Sequence, residues 1–210
     1  MALLLKYPKD FLIEGEYVVL KPDVSEEEFW AISDEDSNFE LIDGVLIIHS
    51  PASEEHEDIF RYLQTILTLF LEKTKQGKIY GSRFVMRLSK KWNPEPDLII
   101  IQPENYKNIK YNYFEGPADI AIEILSKATK EIDLQKKIPK YLEVGVKEVW
   151  VMDPEDKKIS IRSPNQVIEY TDPNSDRKIE SGILKGLPIE IRWIWNREKH
   201  PIIEVVKNIL

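Results

Sequence analysis

Two apolar runs, each carrying one acidic residue, constrain the fold of this 210-residue chain most strongly. In the first, PDLIII, Asp97 precedes the run Leu98–Ile101. In the second, DIAIEIL at residues 119–125, Glu123 lies near the end. Short, nearly continuous apolar runs rich in β-branched residues are typical of strands covered on both faces. Such strands need helices on each side of a sheet, so the pattern predicts an α/β fold.

The segments around these runs predict the covering helices. Apolar side chains recur at helical spacing in residues 51–78 and predict one long amphipathic helix. Ser25 and Glu28 have capping-box spacing and predict a short helix before it. A third helix is expected from residue 127 to Gly145. Pro139 is a defect in that helix and is expected to kink or interrupt it.

The remaining segments predict strands and turns. Asp43-Gly44 has the chemistry of a hairpin turn, and residues 147–154 predict a further strand. Short strands are expected from Lys157 to about Trp195. We therefore expect one α/β domain with a mixed central β-sheet flanked by helices. Its expected parts are an N-terminal extension (1–24), a core (25–153) and additional C-terminal strands (154–210).

Composition limits the function classes. A net charge of −8 and a pI near 5.1 argue against broad, non-specific phosphate binding, although a local basic cleft is not excluded. The chain has no cysteine, which excludes disulfides and thiolate metal sites and fits a reducing compartment. The N-terminus lacks the pattern of a signal peptide, and no apolar run is long enough to span a bilayer. We expect a cytoplasmic protein that does not bind membranes.

The two acids are candidates for metal binding. Alternation along a strand places Glu123 on the same face as Ala121, in an apolar setting where a carboxylate needs a cation or strong donors. If the two strands are neighbours, Asp97 and Glu123 converge, and paired carboxylates suit Mg²⁺. Two simpler interpretations stay open at this point. Glu123 could pair with a core Arg or lie at a solvated edge, and Asp97 could be a turn residue after Pro96.

Lys137 lies four residues after Asp133, so the two side chains share one helical face. Spacing alone favours a surface ion pair, which contributes only about 0.3–0.5 kcal/mol. The functional alternative is an amine delivered from the helix into the carboxylate site, where it orients a water or neutralises charge on a phosphate.

Six motifs occur in an order that matches a known family. The chain resembles the putative restriction endonuclease family (domain-of-unknown-function family 820) of the PD-(D/E)XK nuclease superfamily, from about Ser25 to Trp195. The motifs are FELIDG, SPASEEH, PEPDLIII, DIAIEILSKATKEIDLQKK, YLEVGVKEVWVMDP and GILKGLPIEI. The resemblance implies a restriction-endonuclease-like core and a Mg²⁺-dependent endodeoxyribonuclease, with Mn²⁺ as a substitute, DNA as substrate and a homodimer as assembly.

The resemblance also implies roles for individual residues. Asp97 matches the superfamily's "PD" aspartate and Glu123 matches the acid of the second motif. Leu125 stands where the usual lysine would be, and Lys137 on the following helix is the matching position. The implied catalytic residues are thus Asp97, Glu123 and Lys137. The implied metal ligands are Asp97, Glu123, the backbone carbonyl of Ile124 and, as an option, Glu40.

Three further positions are implied to have supporting roles: Glu40, His56 and Asp133. Glu40 matches the first-motif acid, and His56 matches a position at the start of the long helix. For His56 a capping or packing role is an equal alternative. His49 and His200 have no match and are interpreted as structural or surface residues.

Two other functions stay open from the sequence. One is a nuclease-like fold that binds or assembles without cleaving, which the acidic net charge favours. The other is a metal-dependent hydrolase of RNA or of another phosphate ester.

Overall fold

The computed structural model of this chain describes residues 16–34, 37–81 and 83–209. Most of the expected N-terminal extension lies outside the described residues. The strands, in chain order, are β1 Val18–Lys21, β2 Phe39–Ile42, β3 Val45–His49, β4 Lys78–Gly81, β5 Val85–Arg87, β6 Trp92–Asn93, β7 Leu98–Ile101, β8 Tyr113–Glu115, β9 Ile120–Ile124, β10 Glu148–Asp153, β11 Lys158–Ser163 and β12 Gln166–Tyr170. The α-helices are α1 Glu26–Ile32, α2 Glu54–Thr74, α3 Lys130–Ile132, α4 Ile138–Val144, α5 Ile191–Trp195 and α6 Ile202–Ile209.

A six-stranded mixed sheet with the order β12-β11-β10-β9-β7-β4 forms the centre of the fold. β9 and β10 are parallel, and the other neighbours in this sheet are antiparallel. The two apolar runs of the sequence become β7 and β9, which lie side by side, and every residue of both is buried. The prediction of a mixed sheet flanked by helices is therefore confirmed.

Helices cover both faces of this sheet. The side chains of Leu98, Ile100, Ile120 and Ile122 pack with the apolar stripe of α2 and with the C-terminal segment. On the opposite face, Ile99, Ile101 and Ala121 pack with Ile138 and Tyr141 of α4. Because side chains alternate along a strand, Glu123 projects toward the α4 face, next to Ala121.

A second, smaller sheet is antiparallel and has the strand order β1-β3-β2-β6. Its β2–β3 hairpin turns at Asp43 and Gly44, with φ values of 53° and 77°. Two consecutive residues in this left-handed region match the tight turn expected from Asp-Gly. The strand β1, which the sequence did not predict, pairs with β3.

The C-terminal prediction is correct only in part. β11 and β12 extend the central sheet, but the expected strands beyond Tyr170 are wrong, because residues 191–195 and 202–209 are helical. The run IRWIW alternates superficially like a strand. Its Ile191, Ile194 and Trp195 also have helical spacing, and burial against the α2 side of the sheet decides for the helix.

Within the described part of the chain, the helices are all too short or too polar to cross a bilayer.

Candidate functional site

The register between β7 and β9 brings the two predicted acids together. Leu98 pairs with Ile122 in this antiparallel ladder, so Asp97 and Glu123 occupy the next positions beyond that pair. The backbone N–H of Ile124 donates a hydrogen bond of 2.7 Å to Asp97 Oδ2. Asp97 is therefore not a free turn residue. Its side chain is hydrogen-bonded to the end of β9, the strand that carries Glu123.

Lys137 lies at the centre of a cluster of carboxylates. Its Nζ is 2.9 Å from Glu40 Oε1, 3.0 Å from Glu123 Oε1 and 3.2 Å from Asp133 Oδ1. All four side chains are at most 5% exposed. The interpretation of Asp133 and Lys137 as a surface pair is thus wrong, since both are buried. The partner of Glu123 is this lysine rather than a core Arg.

An unusual helical turn delivers Lys137 to the cluster. Asp133–Lys137 form a π-helical turn between α3 and α4, and the N–H of Ile138 donates to the Asp133 carbonyl five residues back. Pro139 follows in the first turn of α4, where its missing N–H matters least. The wider turn interrupts the α-helix just before Pro139, as expected, and Pro139 does not remove the amine from the site.

Glu40 joins the cluster from β2. Its Oε1 accepts a hydrogen bond of 2.9 Å from the backbone N–H of Glu95, in addition to the bond from Lys137. Burial alone would raise the pKa of Glu40, but the charges of Lys137 and His49 outweigh it and hold this pKa at about 2. Glu40 is the ionised partner of the ammonium.

Two histidines approach the acids from the outside. His49 Nε2 lies 3.5 Å from Glu40 Oε2, so the interpretation of His49 as a structural or surface residue needs correction: it faces the site. His56 Nε2 lies 3.1 Å from Asp97 Oδ1. Burial alone would lower the pKa of His56, but its hydrogen bond to Asp97 and the charge of Asp97 raise it. The backbone N–H of His56 also donates to the cap residue Ser53, so the capping role and the site contact coexist.

One ammonium cannot compensate three carboxylates. Burial raises the pKa of Glu123 well above its usual range, with Lys137 opposing the shift. Burial likewise raises the pKa of Asp133. Burial alone would lower the pKa of Lys137, but Glu123 and Glu40 raise it well above its usual range, so the amine stays protonated. The cluster therefore holds a permanent cation and more carboxyl groups than that cation can neutralise.

Tyr141 and Glu95 are site residues that the sequence did not reveal. Tyr141 Oη donates a 2.7 Å hydrogen bond to Glu123 Oε1, and both side chains are buried. Its position four residues after Lys137 was the available signal, but a Tyr on an apolar helix face is more often part of the core. The buried Oε2 of Glu95 has no hydrogen-bond partner among the described residues. Burial and the charge of Glu40 raise the pKa of Glu95 to about 9.

The raised pKa of Glu95 predicts a pH-dependent stability. Between its ordinary pKa of 4.5 and about 9 the native state holds a proton that the unfolded chain releases, so stability falls as pH rises through this window. One proton contributes at most about 1.4 kcal/mol per pH unit. Glu95→Gln should lessen this decline. Urea unfolding of the wild type and of the variant at several pH values between 5 and 9 measures the decline. If the free energy of unfolding falls equally with pH in both proteins, the raised pKa of Glu95 is contradicted.

The acids line two connected spaces. A small chamber of about 100 Å³ is bordered by Glu40, Asp97, Glu123, Asp133 and Lys137. A larger cleft of about 720 Å³ opens on its outer side, and Asp97 lines both spaces. The three predicted catalytic residues and the three supporting residues, Glu40, His56 and Asp133, thus meet at one place.

The donor set suits a hard cation, although an ammonium already occupies its centre. In the described ranges, no three acidic or histidine side chains stand in a ready arrangement around a metal ion. Glu40 Oε2 is buried without a hydrogen bond, and Asp97 is 22% exposed at the mouth of the chamber. Carboxylate oxygens are the ligands that Mg²⁺ prefers. By donor chemistry the residues fit such an ion.

The comparisons with known proteins agree with the fold. The family model described as "Putative restriction endonuclease" matches residues 26–192. A crystal structure described as a putative nuclease belonging to DUF820 from Anabaena variabilis superposes with a TM-score of 0.72 at 17% sequence identity. The match covers 82% of this chain and 98% of that one. Among curated proteins, none matches this sequence.

Proposed function

This chain belongs to the family described as "Putative restriction endonuclease", and on that premise we propose that it is a metal-dependent nuclease that hydrolyses DNA phosphodiester bonds. Family membership supports a nuclease-like function. The observation that carries the finer proposal is the 2.7 Å hydrogen bond from the Ile124 N–H to Asp97 Oδ2. It fixes the acid before β7 beside the acid-bearing end of β9, at the edge of a chamber open to a cleft.

The proposed metal ligands are Asp97, Glu123, Glu40 and the backbone carbonyl of Ile124, with Mg²⁺ as the ion and Mn²⁺ as its substitute. When bound, such an ion lowers the pKa of a water ligand and stabilises negative charge on the phosphate. A divalent cation would add the positive charge that Lys137 alone does not supply, and would favour the ionised forms of Glu123 and Asp133, whose pKa values burial raises.

Lys137 acts in this proposal as a fixed positive charge. Its raised pKa keeps the amine protonated, so it is a hydrogen-bond donor and not a general base. It lines the chamber and holds Glu40 and Glu123 together. It therefore positions the two acids and supplies positive charge near the reacting phosphate.

Tyr141 is a positioning residue in the same proposal. Tyr141 Oη and Lys137 Nζ both bond to Oε1 of Glu123. Two donors on one oxygen fix the rotation of the carboxylate and leave Oε2 to face other ligands. Partners that orient a metal ligand in this way are part of the function of a site.

Tyr141→Phe should reduce metal affinity or cleavage by roughly 10–100-fold while the fold is kept. The ring still fills its place, so only the orientation of Glu123 is loosened. Mg²⁺ or Mn²⁺ titrations of binding and of cleavage rate measure the effect. Tyr62→Phe is the matched control, because Tyr62 is equally buried and donates to the His200 carbonyl at 2.8 Å, away from the acids. It should lose about 1 kcal/mol of stability and no activity; equal effects of both variants on cleavage would contradict the positioning role.

One observation favours a second candidate, a nuclease-fold protein that binds or assembles without cleaving. The ammonium of Lys137 already bonds to three carboxylates, which is an arrangement that can stabilise a fold without metal. The homodimer implied by the family resemblance stays a prediction, and so does the cytoplasmic location expected from composition and from the N-terminal pattern.

Cleavage itself separates the candidates. The purified protein is incubated with supercoiled plasmid, linear duplex, single-stranded and branched DNA, and RNA, with Mg²⁺ or Mn²⁺ and with a chelator. The proposal expects cleavage of DNA that the chelator abolishes. If no substrate is cleaved in a metal-dependent way, the non-cleaving candidate is favoured. If RNA alone is cleaved, the substrate is RNA and not DNA.

A further inference from the structure

The larger cleft beside Asp97 has the size of a small-molecule site. Its volume of about 720 Å³ falls within the roughly 300–1,000 Å³ that such sites occupy. It continues into the acidic chamber, since several residues line both spaces. His56, Glu95 and Asp97 are among them. A group held in the cleft therefore lies next to the proposed reaction centre.

The charge of the lining limits how many phosphates it can accept. Among the described residues that form the cleft, Arg83 is the one Lys or Arg, whereas Asp34, Glu57 and Asp97 are acidic. A duplex is held by many phosphate contacts, each neutralised by a basic side chain. This cleft suits a ligand that brings one or two phosphates.

The rest of the lining suits a nucleobase. Phe60 from α2 is half-buried, packs against the main core and lines the cleft, whose lining also includes the apolar residues Phe39 and Pro51. Three side chains of the lining carry buried polar atoms without a hydrogen-bond partner among the described residues: Glu95 Oε2, His49 Nε2 and His56 Nδ1. An unstacked base offers a flat face to an aromatic ring and a polar edge to such atoms.

We propose that the cleft receives one unpaired nucleotide of single-stranded DNA, with its base against Phe60 and its phosphate toward Arg83. The adjacent phosphodiester then lies at Asp97. The inference rests on the proposed nuclease function and narrows its substrate to single strands or single-stranded ends. A continuous duplex would keep its bases stacked and outside this cleft.

The substrate form tests the inference. One DNA sequence is offered as a single strand, as a blunt duplex and as a duplex with a single-stranded tail, and kcat/KM is measured at several salt concentrations. We expect the single strand and the tailed duplex to exceed the blunt duplex by about tenfold or more. The logarithm of 1/KM should fall with log salt with a slope of about −1, because single strands lose about 0.7 per neutralised phosphate.

The possible outcomes distinguish a failure of the single-strand inference from a failure of the proposed nuclease function. Equal cleavage of the blunt duplex, or a slope of about −5 as expected for six duplex contacts, overturns the inference and leaves the nuclease function standing. No cleavage of any form removes the nuclease function and this inference with it.

A pair of variants tests the role of Phe60. Phe60→Leu keeps an apolar side chain but removes the aromatic face, and should raise KM for single strands by about 5- to 150-fold with little change in kcat. Phe60→Trp should restore a low KM. If Phe60→Leu and Phe60→Trp have the same KM and the same unfolding midpoint, Phe60 is a packing residue only. The proposed binding of a base against Phe60 is then wrong.

Discussion

Lys137→Met will lower the free energy of unfolding by about 3–5 kcal/mol at neutral pH, the cost of leaving buried charges without their partner. Three carboxylates that are at most 5% exposed lose the ammonium that each of them contacts, while the methionine fills a similar volume. Chemical denaturation at pH 7 measures the change. The same variant should lose cleavage, because the fixed positive charge and the alignment of Glu40 and Glu123 disappear together.

The loss of stability in Lys137→Met should depend on pH with a defined sign. Without the ammonium, the buried carboxyl groups have folded-state pKa values above their unfolded values. Their contribution is favourable below the unfolded pKa and is lost as pH rises. The stability difference between Lys137→Met and the wild type should therefore shrink on going from pH 8 to pH 5.

Lys130→Met is the matched control for this prediction. Lys130 Nζ also meets three carboxylates, those of Asp153, Glu155 and Asp156, at 3.0, 3.4 and 3.6 Å. It is 29% exposed, so solvent screens its ion pairs and the substitution should cost less than about 1 kcal/mol. Similar losses for the two lysine variants would contradict the account of Lys137 as the centre of a buried charge cluster.

Asp97→Asn will abolish metal-dependent cleavage, with kcat/KM falling by at least about 10³-fold. The amide can still accept the hydrogen bond from Ile124 N–H and keep the end of β7 in place, but it removes the negative charge that favours a divalent ion. Initial rates on single-stranded DNA measure the loss, and circular dichroism with thermal unfolding establishes that the fold is retained.

Asp119→Asn is the control for a buried acid in the same sheet. Asp119 is 1% exposed and precedes β9 at the end opposite Glu123, where it accepts hydrogen bonds from Gln102 and Asn105. Its substitution should lower stability and leave cleavage at the wild-type rate. Retained cleavage in Asp97→Asn, or equal loss in both variants, would mean that the active site lies elsewhere.

Local pattern was enough to predict the central layer of the fold. Burial between layers of secondary structure is the one stable arrangement for the apolar runs of β7 and β9. The same holds for the apolar stripe of α2. The order of these elements favours a mixed sheet. The convergence of Asp97 and Glu123 also followed from pattern, provided that the two strands were neighbours. The register shows that they are.

The contacts within the site needed tertiary information. Whether Asp133 and Lys137 form a surface pair or a buried one depends on which face of the helix meets the sheet, and the spacing of four is the same in both cases. The π-helical turn before Pro139 sets that face, and no local sequence rule predicts it. Tyr141 and Glu95 were missed for a similar reason, since their roles arise only from what packs beside them.

The C-terminal helices show the converse error. Residues 191–195 alternate like a strand, yet they form α5 because the helix buries Ile191, Ile194 and Trp195 together. A five-residue window contains too few turns to separate the two periods, and packing against α2 decides between them.

A crystal of the wild-type protein soaked in Mn²⁺ tests whether the carboxylates of Asp97 and Glu123 hold a metal ion. We expect anomalous density between the carboxylates of Asp97 and Glu123, with the Lys137 amine within about 3–5 Å of a water bound to the ion. The same soak of Asp97→Asn should show no density there. The proposed metal site would be contradicted if wild-type crystals show no Mn²⁺ in this chamber at concentrations that support cleavage in solution.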